Sequence, residues 1–156
     1  GGVAIGTGRG DQITPALFKG SYNWVLALSG QGLATPSVYA ECDRLREGLS
    51  ISTPVVSEQL MQALRAGDAK ALGKSLSNDL QPAACSLKPA LKLALSAGME
   101  SGAIGALVSG SGPTVAFLAK SEEASIDLAV ALSSTGAVSQ VGRAHSPVGG
   151  PRVLEN

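Results

Sequence analysis

The sequence predicts an α+β domain of the split β-α-β, ferredoxin-like type, an antiparallel sheet with helices on one face. Three observations carry this. Two short apolar runs, Ala103–Val108 and Thr114–Ala119, are separated only by Ser109-Gly110-Ser111-Gly112-Pro113, so they read as two strands joined by a turn that permits unusual φ. Tyr22–Leu28 is the clearest strand of the first half. A capped helix from Ser121 to about Ser133 precedes a last strand, Ala137–Ala144. With helices between Tyr22–Leu28 and the central pair, the order is β-α-β-β-α-β, with extra helices in the first crossover. Right-handed crossovers then place the helices on one face.

Taken in order, Gly1–Ile5 reads as a short strand running into the glycine-rich turn Gly6-Thr7-Gly8-Arg9-Gly10. Its three alternating glycines share part of a nucleotide fingerprint, but no helix opens after them and Pro15 intervenes, so a β-turn or bulge is expected. Arg9 and Asp11 read as a local ion pair or solvated charges. Ser29–Ala34 is the exit loop of Tyr22–Leu28. Thr35-Pro36 has the form of a helix start, a capping hydroxyl followed by proline, and the helix carries Val38, Tyr39 and Leu45 to a stop near Gly48. Leu49–Pro54 is a loop.

Ser57 caps a helix bearing Leu60, Met61 and Leu64 that ends at Gly67, and Asp68 caps the next, with Ala69, Ala71, Leu72 and Leu76. Asn78-Asp79 interrupts, and Leu80–Cys85 is expected to be a short turn. Leu87–Ala97 forms a longer helix that Gly98 closes as a glycine C-cap. Ser121-Glu122-Glu123 supplies the final helix with a cap and two acids at its positive end. Ser146–Asn156 reads as a mobile Pro/Gly tail.

A length of 156 residues suits one domain that buries roughly two-thirds of its unfolded surface. Twelve acidic and twelve basic residues cancel, leaving no basic stripe for phosphate backbones, so nucleic acid is not an expected partner. No charged-then-apolar start or membrane-length apolar run is present, so no membrane partner is expected and the location reads as cytoplasmic. Cys42 and Cys85 read as two buried thiols rather than a disulfide, and one histidine without clustered thiols argues against zinc. His145, without a Ser or Asp partner, reads as a surface or edge residue. Lys74 and Lys88 fall in amphipathic helices, where a solvated face is the expectation. The chain starts without Met and reads as a fragment or cleaved product.

The segment Gly105–Phe117, Gly-Ala-Leu-Val-Ser-Gly-Ser-Gly-Pro-Thr-Val-Ala-Phe, resembles the third motif of the GHMP small-molecule kinases. Gly1–Pro15, Thr35-Pro36-Ser37-Val38-Tyr39 and Asn78-Asp79-Leu80 resemble segments of one member of that family, in its order and roughly its spacing. The resemblance covers nearly the whole chain but only the second half of that enzyme. It implies the carboxy-terminal, substrate-binding half of an ATP-dependent kinase that phosphorylates a 2-hydroxyl on a cytidine-diphosphate substrate in isoprenoid synthesis. ATP and Mg would be bound mainly by the missing N-terminal half, which is also the expected partner and holds the ATP loop and the catalytic Lys and Asp. No catalytic residue is therefore expected here.

The resemblance divides the chain at residue 20. Residues 1–20 would end the first, ATP-binding domain or form an interdomain strand, 21–146 the GHMP kinase C-terminal domain, and 147–156 the tail. Thr35, Pro36 and Tyr39 match the family's cytidine-side segment, where an aromatic ring stacks on the base; by residue pattern alone Tyr39 would be a core aromatic. Ser109, Gly110, Ser111, Gly112 and Thr114 match the phosphate and cleft loop; by pattern alone they form an ordinary hairpin turn or a concavity of amides for an anion. Asn78-Asp79-Leu80 reads as a cap that joins helices. Another GHMP kinase, of homoserine or mevalonate type, and a non-catalytic ferredoxin-like ligand-binding domain are the alternatives.

Overall fold

A computed structural model describes residues 2–136 and 138–150. The central strand is β3 (Tyr22–Leu28), after a separate amino-terminal hairpin of β1 (Ala4–Thr7) and β2 (Gln12–Pro15). Helices α1 (Thr35–Arg46), α2 (Glu58–Ala66), α3 (Ala69–Ser75), α4 (Gln81–Leu87) and α5 (Ala90–Glu100) fill the first crossover. Strands β4 (Gly105–Val108) and β5 (Val115–Ala119), helix α6 (Glu122–Ser134) and strand β6 (Gln140–Ser146) follow. The sheet order is β4-β5-β3-β6 and every neighbouring pair is antiparallel, which is the ferredoxin-like arrangement.

Alternation along the strands builds two clusters. Val25 and Ala27 of β3, Val115, Phe117 and Ala119 of β5 and Val108 of β4 join Val38, Cys42, Cys85, Leu91, Leu128 and Leu132 of α1, α4, α5 and α6. The intervening residues Tyr22 and Leu118 point the other way, where Ala63, Leu64 and Leu72 of α2 and α3 meet them. The inserted pair α2–α3 thus goes round to the second side. Cys42 and Cys85 are free, buried thiols, and burial pushes the Cys85 thiol up.

Local chemistry explains the boundaries. Ser57, Asp68 and Ser121 accept from the N–H groups of Leu60, Ala71 and Ala124, as expected. Four expectations are corrected. The strand expected at Gly1–Ile5 is Ala4–Thr7 and pairs with β2, which the sequence reading missed; Gly1 itself lies outside the described residues. In the hairpin turn Asp11 accepts from the backbone N–H of Arg9 at 2.9 Å. Leu80–Cys85 is not a turn, because a proline at the second helical position lets α4 start at Gln81.

Gly98 does not end its helix. The α5 helix runs to Glu100, and the left-handed residue is Gly102, with φ 97°. Ala103 N–H donates to the Gly98 carbonyl and Gly102 N–H to that of Met99, the paired bonds of a Schellman ending. Gly98 lies one turn earlier, buried, where a Cβ would overlap the Phe117 ring. Finally, the strand expected at Ala137–Ala144 is Gln140–Ser146, and Ala137 lies outside the described residues. Of the expected tail, residues 147–150 have no regular structure and 151–156 lie outside the described residues.

An ion pair within α1 is tied to α4 by a serine. Glu41 accepts from Arg44 through both carboxylate oxygens at 2.7 Å and from the Ser86 hydroxyl at 2.6 Å. The Arg44 guanidinium first, and Ser86 second, lower the Glu41 carboxyl from 4.5 to about 2. A carboxyl acidified on folding contributes stability above its unfolded value, and that contribution is lost as pH falls through the folded one. Glu41→Gln is therefore expected to lower the urea midpoint at neutral pH. The gap to wild type should close as pH falls from 4.5 to about 2. A gap that stayed constant across that window would show that the carboxylate charge contributes nothing.

Candidate functional site

The turn between β4 and β5 is tight. Gly112 N–H donates to the Ser109 carbonyl at 2.9 Å and Ser109 N–H to that of Thr114 at 2.8 Å. Gly110 (φ 58°) and Gly112 (φ 79°) both take left-handed conformations that a Cβ disfavours. Space over Gly110 is open, whereas a Cβ on Gly112 would press on Val108 at 3.0 Å.

Three segments that are far apart in sequence meet at this turn. Thr35 was expected to cap α1, but Ala34 holds the cap position and no side chain caps the helix. Instead the Thr35 hydroxyl shares a 2.8 Å hydrogen bond with the Ser111 hydroxyl. Pro36, lacking an N–H, occupies the second helical position, where none is needed. Asn78 was expected to cap and join helices. Its Oδ1 does accept from Leu80 N–H, but its Nδ2 donates to the carbonyls of Val108 and Gly110, each at 2.7 Å. This role was missed, because both targets lie some thirty residues on.

Tyr39 stands one helical turn after Thr35, on the same side of α1, while Val38 and Cys42 face the core. It is 55% exposed, so the core-aromatic reading does not hold. Long side chains on helices lean toward the amino terminus, which directs this ring toward Thr35 and the turn. Lys88 is likewise not a solvated helix residue: its ammonium donates to Ser29 Oγ at 2.6 Å and to the Gln31 carbonyl at 2.8 Å, anchoring the loop that leads to α1. Asp79 pairs with Arg46 at 3.2 Å, and His145 lies exposed on edge strand β6.

Two cavities among the described residues contain none of the expected site residues. One, of about 410 Å³, lies by Asn23, Arg143 and His145, at the end of the sheet away from the turn. The other, of about 500 Å³, lies along the outer side of β4 between Lys74 and Met99. Outside these cavities Thr35 meets the turn through the Ser111 hydroxyl, with Tyr39 exposed one helical turn further along α1, an open arrangement of hydroxyls and an aromatic ring. Such an arrangement can hold a polar or anionic group and stack a flat one.

Residues 60–138 match the family described as GHMP kinases C terminal. The chain belongs to the GHMP kinase family. Among curated relatives it is 49% identical over 154 residues to a 4-diphosphocytidyl-2-C-methyl-D-erythritol kinase of Thermobifida fusca, covering 99% of this chain and 50% of that one. It is 48% identical over 154 residues to the kinase of the same name from Streptomyces avermitilis, covering 99% and 52%. The chain spans about half the length of these curated relatives. A solved structure titled 4-(cytidine 5'-diphospho)-2C-methyl-D-erythritol kinase matches with TM-score 0.71 and 25% identity, over 91% of this chain and 48% of that one. A mevalonate kinase of L. major matches in fold, with TM-score 0.67 and 18% identity, over 86% and 45%. Among the described residues no helix is long and apolar enough to cross a membrane.

Proposed function

We infer that this chain is the carboxy-terminal, substrate-binding half of a cytoplasmic kinase that transfers phosphate from ATP to the 2-hydroxyl of 4-diphosphocytidyl-2-C-methyl-D-erythritol, in non-mevalonate isoprenoid synthesis. The observation that carries this reading is the Thr35–Ser111 bond, which joins the Thr35–Tyr39 segment to the Ser109–Thr114 turn in one wall. The half-length match to relatives bearing that kinase name supports it.

In this reading Tyr39 stacks on the cytosine, with Thr35 and Pro36 beside it. Of the turn residues, Ser109, Ser111 and Thr114 meet phosphate oxygens through hydroxyls and Gly110 through its amide, while Gly112, its N–H held by the Ser109 carbonyl, shapes the turn. ATP supplies the phosphoryl group. The turn carries no cation, so its contribution is position rather than charge. In this reading the Mg ion that accompanies ATP is held mainly by the amino-terminal half, as the family resemblance implies. That half is the partner of this chain. The separate β1–β2 hairpin, within residues 1–20, belongs with the first domain, leaving 21–146 as the second and 147–156 as a tail.

The test compares the full-length kinase with this chain alone, each given Mg-ATP and the diphosphocytidyl substrate, while ADP release is followed. The full-length protein is expected to turn over at roughly 1–100 per second and the chain alone not at all. Comparable turnover by the chain alone would refute the half-enzyme reading. A full-length protein that prefers homoserine or mevalonate would overturn the substrate.

A further inference from the structure

We propose that Asn78 and Gln81 are positioning residues for the kinase reaction, setting the Ser109–Gly112 turn through the last residue of β4. The inference rests on the kinase reading above and adds to it two residues outside the expected site. Strand β4 lies at the edge of the sheet and ends at Val108. Antiparallel pairing alternates, and since Ser109 bonds to Thr114, the polar groups of Val108 face away from β5. Both are taken by side chains. The Gln81 Oε1 accepts from Val108 N–H at 2.8 Å, and Asn78 Nδ2 donates to the Val108 carbonyl at 2.7 Å. The second proton of the same Nδ2 goes to the Gly110 carbonyl, inside the turn.

The turn needs such a hold. Two of its residues are glycines, which resist ordering, and Gly110 has no side chain with which to anchor itself. Its other restraints are its own two backbone bonds and the Thr35–Ser111 bridge. Asn78 cannot serve with its amide turned over, because two carbonyls require the donors on one side and Leu80 N–H requires the acceptor on the other. A shift of the turn would carry Ser111, and through it the Thr35 hydroxyl, out of place.

Donor and acceptor chemistry makes the test selective. In the full-length kinase, Asn78→Asp keeps the acceptor for Leu80 but sets a carboxylate against two carbonyls. Gln81→Glu keeps the acceptor for Val108 and places an acid at a helix start, where the dipole favours it. Gln81→Leu removes the acceptor. With the diphosphocytidyl substrate, kcat/KM is expected to fall about 10- to 100-fold for Asn78→Asp and for Gln81→Leu, with Gln81→Glu near wild type. Melting temperatures are read alongside. Variants that lose melting temperature but keep wild-type kcat/KM when folded would overturn the proposal, as would Gln81→Glu proving as damaging as Gln81→Leu.

Amide exchange separates this proposal from the substrate assignment. In Asn78→Asp, protection at Gly112 N–H and Val108 N–H should drop while that of Phe117 stays. Unchanged protection at both sites would sink the proposal even if the enzyme is active. Lost protection together with an inactive wild type would count against the substrate and not against the hold on the turn. If the wild type uses another alcohol, the same kinetic comparison is read on that alcohol.

Discussion

Replacing Gly98 by valine lowers the melting temperature of the domain by roughly 6–12 °C, for a cost of about 3 kcal/mol at this chain length. The position tolerates no Cβ because the ring of Phe117, fully buried, occupies that space. Helix α5 and strand β5 approach one another there as closely as a backbone and a ring can. Neither side yields easily: the helix is fixed by its Schellman ending and by Leu91 and Ala94 in the same core, and the ring by the sheet. Two controls keep the result interpretable. Gly142→Val, in β6 with open space around it and an ordinary φ, should change little. Pairing Gly98→Ala with Phe117→Leu should recover part of the loss, because a smaller partner makes room for the added methyl. If the double variant is only as stable as the sum of its parts, the ring is not what excludes a side chain at Gly98.

The second large effect falls on binding. Tyr39→Ala in the full-length kinase is expected to weaken the diphosphocytidyl substrate by about 1–3 kcal/mol, roughly five- to 150-fold, with ATP affinity nearly unchanged. Tyr39→Phe keeps the ring and should bind almost as wild type. The exposure of Tyr39 makes the contrast sharp: a ring that is more than half in solvent contributes little to the core, so its removal should barely move the melting temperature. A melting temperature that drops while substrate affinity holds would return Tyr39 to a structural role and remove the base-stacking assignment.

Much of the fold was legible because its signals are local. Ser57, Asp68 and Ser121 each announce a helix within three residues of the N–H they cap, and the alternation of Tyr22–Leu28 sorts its side chains to two faces. The errors share one cause. Gly98 ends an apolar periodic run in sequence, and a glycine that stops a helix leaves the same trace there as one that admits a ring from nineteen residues on. Thr35-Pro36 looks like a cap because the composition of a cap is local, whereas Ser111, the partner its hydroxyl takes, is 76 residues away. The wall itself was visible only through family resemblance; neither its hydroxyl bridge nor the role of Asn78 has a periodicity to betray it. Gln81 was passed over altogether, since a glutamine at a helix start is unremarkable until its oxygen is seen on Val108.

The side chains that hold the turn also determine how this sheet behaves toward other molecules. A sheet edge normally offers a row of unclaimed backbone groups on which a foreign strand can grow, the first step of edge-to-edge aggregation. Strand β4 is only four residues long, and at Val108 both groups that a newcomer would need are already engaged. A chain arriving at that end of β4 would have to displace the first glutamine of α4 and the asparagine just before it, which is also bonded to Leu80, before making its first ladder bond. The edge is thus closed to templated growth where it adjoins the turn.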